Sequence, residues 1–452
     1  MTMKKKLSFQ ELAAVGSMLF GLFFGAGNLI FPAAMGQLSG RNVFLATLGL
    51  LITGVGLPLL GVAALGISRC NGLAQLSERV GKKYSMFFTC VLYLTIGPFF
   101  AIPRCATVPF EVGISPLLSK ASPGPVPLAL FSLVFFGVVL WFSLKPGKIL
   151  TWIGKILNPI FLVCLGILLI TALVSPMGSV GDIAPQSTYV HSAFFSGFLE
   201  GYNTMDALAG LAFGIIVVNV IKDLGVQSPE AIASNTVKAG IFGCGLMGII
   251  YLAVAVVGTQ SRGLYPVAAN GGEALLTIAK HYFGNAGAAI LAVTVTFACL
   301  KTAVGLITSC SETFHSLFPS RFSYRTWAVG FCLLSFGIAN LGLNAIIACA
   351  LPVLMFLYPL AIALIFLALT GKWFQNDRVV YRSVILCTLL AAILDFIHAL
   401  PASVTGFLHL TALLDLANRF LPFFSQGMGW VCPALIGLAV GLLLHAKRAR
   451  NL

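Results

Sequence analysis

Charge is the scarcest property of this 452-residue chain. Asp, Glu, Lys and Arg together make up 9% of it, against about 25% in a typical soluble domain. With 59% hydrophobic residues and a mean hydropathy of +1.00, too little polar surface exists to cover a water-soluble globule, and the chain reads as an integral membrane protein. Acidic residues are rarer still, 13 against 27 basic ones. The resulting net charge of +14 is no nucleic-acid footprint, because the basic residues stand singly or in short clusters between apolar runs. No Walker loop, no strand-to-helix dinucleotide glycine loop and no HExxH motif occurs, which argues against ATP hydrolysis, dinucleotide chemistry and zinc catalysis. The eleven cysteines show no CxxC and no metal-ligand spacing, so they read as small buried hydrophobes. Lys4, Lys5 and Lys6 look like the basic start of a signal peptide. No small-residue cleavage site follows a short apolar core, and the first apolar run is expected to be a retained span.

Long apolar runs take the place of all these features. Twelve of about 20 residues predict spans near 9–35, 42–68, 83–112, 127–144, 149–175, 192–221, 232–259, 285–311, 325–341, 344–370, 380–398 and 428–446. The connections at 262–284 and 399–427 hold GGEALLTIAKHYF and FLHLTALLDLANRF, whose apolar spacing predicts short interfacial helices. With the N-terminus inside the cell, 20 of the 27 Lys and Arg residues fall on the cytoplasmic side and 5 on the other, which predicts that both termini are cytoplasmic.

Two of the runs are interrupted at mid-depth. Gly16–Pro32 reads GSMLFGLFFGAGNLIFP and is broken by Gly25-Ala26-Gly27-Asn28; the stretch 194–214 reads FFSGFLEGYNTMDALAGLAFG and is expected to break at Glu200-Gly201-Tyr202-Asn203. Unpaired backbone groups at membrane depth are costly, so an open backbone survives there only where it lines a cavity or binds something. Paired interruptions in corresponding halves point to a transporter's binding site. Five spans (about 9–175) followed by five more (about 190–370), each set opening with a broken helix, predict an inverted repeat within one transmembrane domain over 1–452. Two accessory helices at about 380–446 complete it.

The chemistry expected at the breaks follows from helix ends. The N–H groups of Gly25, Ala26 and Gly27 lack intrahelical partners where the helix restarts, and a carboxylate belongs at such a positive end. The carbonyls near Gly21 and Phe24 point the other way and suit a small hard cation, and Asn28 adds a side-chain oxygen. Glu200 is a mid-membrane acid, read either as a ligand of an ammonium group, a cation or a proton, or as a structurally paired group. Asp206 reads as structural or as a relay, and Tyr202 as a pocket cap or a packing residue. In AVTVTFACLKTAVGLITSC, Thr302 and the carbonyl of Cys299 share one face and suit a cation; the alternative is that Thr302 bonds back to its own helix. Lys301 beside it snorkels, pairs with an acid or fills space near the cation. In GPFFAIPR, Arg104 stands seven residues before Glu111 and reads as half of a structural ion pair.

FGAGNLIFP, LYLTIGPFFAIPRCATVPFEVG, FLEGYNTMDALAGLAFGIIVVN and ACLKTAVGLITSCSE together resemble the bacterial branched-chain amino acid:cation symporter family, across essentially the whole chain. More remotely, the two broken spans resemble the leucine-transporter (LeuT) fold. The resemblance implies an all-α inner-membrane protein that takes up leucine, isoleucine or valine with sodium. It implies no cofactor, no covalent chemistry, no nucleic acid and no obligate protein partner. It maps the substrate carboxylate onto Gly25, Ala26 and Gly27, and the reading of the two breaks adds Asn28, Glu200, Gly201, Tyr202 and Asn203 as substrate residues. Sodium is assigned to Gly21, Phe24, Asn28, Cys299 and Thr302. Ala303, where the family's second hydroxyl would stand, and Lys301 depart from that pattern. A proton-coupled transporter of the same fold is the alternative reading.

Overall fold

A computed structural model describes residues 6–70, 72–118, 125–144 and 158–450. Lys4, Lys5, Lys120, Lys145, Lys148 and Lys155, which enter the charge-based orientation, lie outside the described residues. Among the described residues there are helices and turns and no strand. Among the described residues, eight helical segments are long and apolar enough to cross a membrane: Gly27–Ser68, Lys82–Ile114, Pro125–Ser143, Glu230–Ser261, Gly271–Leu317, Leu343–Phe374, Arg378–His398 and Val431–Arg448. Phe9–Phe23 and Phe161–Val174 are shorter apolar helices. The described residues therefore form an all-helical, multi-pass membrane protein.

The helices that build the centre are α1 (Phe9–Phe23), α2 (Gly27–Ser39), α3 (Val43–Leu51), α4 (Leu57–Ser68), α5 (Leu73–Ser77), α6 (Lys82–Leu94) and α7 (Ala101–Pro109). After α8 (Pro125–Ser143) and α9 (Asn158–Val174) come α10 (Ala193–Thr204), α11 (Asp206–Asp223), α12 (Pro229–Ser261) and α13 (Gly271–Leu317). The chain closes with α14 (Tyr324–Ala339), α15 (Leu343–Thr370), α16 (Arg378–His398), α17 (Ala402–Phe407), α18 (Thr411–Phe420) and α19 (Val431–Arg450).

Lipid tails are as apolar as leucine, so helices in a bilayer associate by close packing at small residues. Gly36 of α2 packs directly on the Ala255 carbonyl of α12, and Gly197 of α10 on the Ala46 carbonyl of α3, leaving no room for a Cβ at either position. Polar side chains add specific ties: Thr259 Oγ1 donates to the Gly36 carbonyl at 2.6 Å and Thr53 Oγ1 to the Phe198 carbonyl at 2.7 Å. The outward faces remain apolar, with Ile170, Leu333 and Leu443 at least 64% exposed, as a lipid-facing surface requires. At the edge of the bundle, Asp377 caps α16 through the Val379 N–H and accepts from His445 Nδ1 at 2.9 Å. Both interactions, the backbone one first, hold its carboxyl below the usual range and tie α19 to α16.

Between α6 and α7 the chain passes through a π-turn (Thr95–Phe99) in which Gly97 leaves helical geometry at φ −94°, ψ −124°, just before Pro98. A second π-turn, Phe110–Ile114, follows Pro109. These wide turns rotate α7 relative to an ideal helix. The helix expected in the 262–284 connection is the first part of α13, which runs from Gly271 to a kink at Gly284 (φ +58°). One face of it is buried, with Gly271 against the Ile30 carbonyl, so it packs onto α2. By contrast α18, in the 399–427 connection, buries only Ala417 and leaves Leu416 and Phe420 exposed.

Candidate substrate site between two broken helices

The first break falls where the glycines predict. Helix α1 ends at Phe23, Phe24 is extended (φ −72°, ψ 101°), and α2 restarts at Gly27 with no side chain capping it at Ala26. One amide of the break is already satisfied: Gly25 N–H donates to Asn28 Oδ1 at 2.7 Å. Asn28 Nδ2 donates in turn to Asp206 Oδ2 at 2.6 Å and to the Tyr251 hydroxyl, which itself donates to Asp206 Oδ2 at 2.8 Å. Asn28 thus locks the first break to the second, and its oxygen is engaged with the local backbone.

The second break lies further along than the sequence suggests. Glu200, Gly201, Tyr202 and Asn203 are all helical within α10, and the interruption is at Met205, which adopts a left-handed conformation (φ +62°). Thr204 forms the elbow, donating to the Gly201 carbonyl at 2.9 Å and accepting the Asp206 N–H at 3.4 Å. Asp206 then opens α11, where an acid suits the positive helix end. Gly201 does not break the helix; it admits the Thr53 side chain, whose Cβ would lie 2.9 Å from a Cβ placed there. The readable signal for the true break was Thr204-Met205-Asp206, a hydroxyl and an acid flanking one residue at a helix start.

Gly25, Ala26, Gly27 and Asn28 line a small cavity of about 40 Å³ together with Thr204 and Asp206 from the second break. Arg104 from α7 and Thr302 from α13 complete its polar wall, and Ile96, Phe213 and Leu306 supply apolar surface. The two breaks nearly touch, since a Cβ on Gly27 would sit 3.6 Å from the Thr204 Cα. Arg104 is 2% exposed; its Nη1 donates to the Asn203 carbonyl at 2.9 Å and its guanidinium lies 5.2 Å from the centre of the Phe31 ring. It therefore reaches across to the second broken helix, and the Glu111 pairing expected from i, i+7 spacing gives way to this contact because the flanking π-turns shift the faces. Asp206, also 2% exposed, is the mid-membrane acid at the cavity, in a more central position than its sequence reading as a structural or relay residue.

Glu200 and Asn203 instead line a second, larger cavity of about 580 Å³ with Ser196, His191, His398 and Gln426. Tyr202 is fully buried and stacks on Tyr358 at 4.0 Å between ring centres, while the Tyr358 hydroxyl donates to the Gly201 carbonyl at 3.4 Å. The structure thus brings the first-break residues and Thr302 together and leaves Glu200, Gly201 and Tyr202 outside that cavity. Glu200→Gln is accordingly expected to shift the leucine half-saturation of uptake by less than about threefold, because no direct charge contact is lost. A tenfold or larger rise would return Glu200 to the site.

Of the residues assigned to a cation, Thr302 faces the first break, with its Oγ1 3.0 Å from a Cβ position on Gly25. Its hydroxyl donates back to the Ala298 carbonyl at 3.1 Å, so the local bond weighed against a cation role is present. Gly21, Phe24 and Cys299 are buried, with Phe24 stacked on Phe20 at 4.8 Å. Lys301 is buried on the same helix.

Two broken membrane helices whose interruptions meet at a buried polar cavity are the kind of site at which membrane transporters bind their substrates. The overall fold is similar to that of Mhp1, a nucleobase-cation-symport-1 family transporter, with a TM-score of 0.60 at 13% identity over 97% of this chain and 93% of that one. An inward-facing conformation of Mhp1 matches with a TM-score of 0.58 at 14% identity, over 97% and 90% of the two chains. The chain belongs to the branched-chain amino acid transport protein family, whose profile matches residues 8–448. It is 54% identical over 450 residues to the branched-chain amino acid permease BrnQ of Lactobacillus delbrueckii subsp. lactis, covering 99% of this chain and all of that protein. It is 40% identical to BrnQ of Bacillus subtilis (strain 168), over 99% and 100% of the two chains, and 38% identical to the branched-chain amino acid transport system 2 carrier protein of Pseudomonas aeruginosa, over 96% and 95%.

Proposed function

We propose that this protein imports leucine, isoleucine and valine across the bacterial inner membrane, coupled to sodium, by alternating access. The observation that carries the reading is the convergence of two helix starts, α2 at Gly27 and α11 at Asp206, on one buried cavity with an apolar wall. A zwitterion with a branched aliphatic side chain needs that combination of fixed dipoles and apolar surface. In this reading the chain has twelve spans arranged as a five-plus-five inverted repeat with two accessory helices, and both termini are cytoplasmic. The substrate carboxylate faces the start of α2 and the side chain lies against Ile96, Phe213 and Leu306. Sodium, carried as a second substrate, lies between the end of α1 and α13, with Thr302 as its side-chain ligand. Binding of both is coupled when sodium favours the conformation that binds amino acid well.

The test is radiolabelled leucine uptake into vesicles holding the purified protein, at fixed pH, with and without an inward sodium gradient. Accumulation above equilibrium that requires sodium supports the proposal; accumulation driven equally by a proton gradient without sodium would replace it with proton coupling. That second reading has one specific observation in its favour, the carboxyl of Asp206 at the cavity itself. Thr302→Val removes the hydroxyl while keeping the shape. It is expected to raise the sodium half-saturation by about tenfold, the effect of losing one hard-cation ligand worth about 1.4 kcal/mol. An unchanged sodium dependence would take Thr302 off the cation path.

A further inference from the structure

Arg104 and Asp206 carry opposite charges, are each 2% exposed, and line the same cavity, yet they form no ion pair with each other. Buried charges at membrane depth are costly unless compensated. Each of these is compensated from its own side. Arg104 Nη1 donates to the carbonyl of Asn203 in the last turn of α10, the negative end of that helix. Asp206 occupies the first position of α11, its positive end, and takes Asn28 Nδ2 and the Tyr251 hydroxyl on one oxygen. The second broken helix therefore holds a cation and an anion apart across its interruption, with the cavity opening alongside.

We propose, resting on the amino acid transport reading above, that this separated pair is a clamp for the two charged ends of a free α-amino acid. The substrate carboxylate binds the Arg104 guanidinium beside the start of α2, and the substrate ammonium binds the Asp206 carboxylate. The geometry suits the roles. A guanidinium has five N–H donors, so one bond to Asn203 leaves several for a carboxylate. Its position by the Phe31 ring, whose edge lies 3.2 Å from a Cβ placed on Gly27, sets it next to the amides of the first break. Asn28 positions Asp206 by holding Oδ2 while its own oxygen holds the Gly25 amide, which links the ammonium site rigidly to the carboxylate site. A clamp of this kind selects free amino acids over amines, acids and peptides of the same side chain, because each of these lacks one of the two charged ends or holds them too far apart to engage both residues.

The experiment measures binding of leucine, of isoamylamine (leucine without its carboxylate) and of isocaproate (leucine without its ammonium) to the purified full chain by competition with radiolabelled leucine. The variants are Arg104→Gln and Asp206→Asn. Arg104→Gln is expected to weaken leucine and isocaproate by about tenfold or more while leaving isoamylamine unchanged. Asp206→Asn is expected to weaken leucine and isoamylamine by a similar factor and to leave isocaproate unchanged. Should either variant fail to fold, Arg104→Lys and Asp206→Glu retain the buried charges and are expected to show the same selectivity with smaller factors. Equal weakening of all three compounds would assign both residues a purely structural role, and unchanged leucine affinity would remove them from the site; either result overturns the clamp. Failure of the wild-type chain to bind leucine at all would instead overturn the transport reading on which it rests.

Discussion

Gly27→Leu is expected to abolish leucine uptake while the protein still inserts and folds. Gly27 is the first residue of α2, and its backbone has no left-handed conformation that would forbid a side chain. A Cβ there would meet the Phe31 ring at 3.2 Å and the Thr204 Cα at 3.6 Å, a tight but tolerable fit. The remaining atoms of a leucine have only the cavity between the two breaks to enter, and they would cover the amides at the start of α2. Losing charge-assisted hydrogen bonds worth about 1.5–3 kcal/mol each corresponds to about a 10- to 150-fold loss of affinity per bond. Uptake should therefore fall by at least about 100-fold if more than one is lost. Gly27→Ala adds only the Cβ and should give a partial loss. Normal uptake by the leucine variant, at wild-type protein levels, would make the first break a packing kink with no ligand.

Gly201→Ala should do the opposite, costing folded protein and sparing the site. A Cβ at Gly201 would overlap the Thr53 hydroxyl, lie 2.9 Å from the Thr53 Cβ and 3.1 Å from the Gly54 nitrogen. Thr53 cannot swing aside cheaply, because its hydroxyl donates to the Phe198 carbonyl at 2.7 Å. Overpacking of this kind costs about 1–3 kcal/mol, so a clear drop in the thermal midpoint in detergent is expected. The protein that survives should bind leucine with wild-type affinity. Lost binding without lost stability would place Gly201 back at the substrate.

These two glycines show why one break was legible and the other was not. A glycine in a membrane helix serves either to open the backbone or to let a neighbouring helix approach, and both uses leave the same mark in the sequence. In Gly25-Ala26-Gly27-Asn28 two glycines coincide with an asparagine whose oxygen takes the Gly25 N–H, and the interruption falls there. In Glu200-Gly201-Tyr202-Asn203 a single glycine beside an acid suggested a break, but Gly201 is a packing contact. The helix opens four residues on, at Met205, which carries no breaker signature of its own. Asp206, whose sequence position suggests a structural acid or a relay, lies at the cavity because the helix restarts there. Arg104 was hidden by assuming a regular helix, since the kink at Gly97 and the π-turn after Pro109 turn it toward Asn203. The helical, membrane-spanning character was plain throughout, because composition alone dictates it.

The most direct test of the account is a cryo-electron microscopy map of the full chain in lipid nanodiscs with saturating leucine and sodium. The account predicts ligand density between the starts of α2 and α11, within reach of Gly27, Arg104 and Asp206. Density in the larger cavity beside Glu200 and His398, with the space between the breaks unchanged, would contradict it.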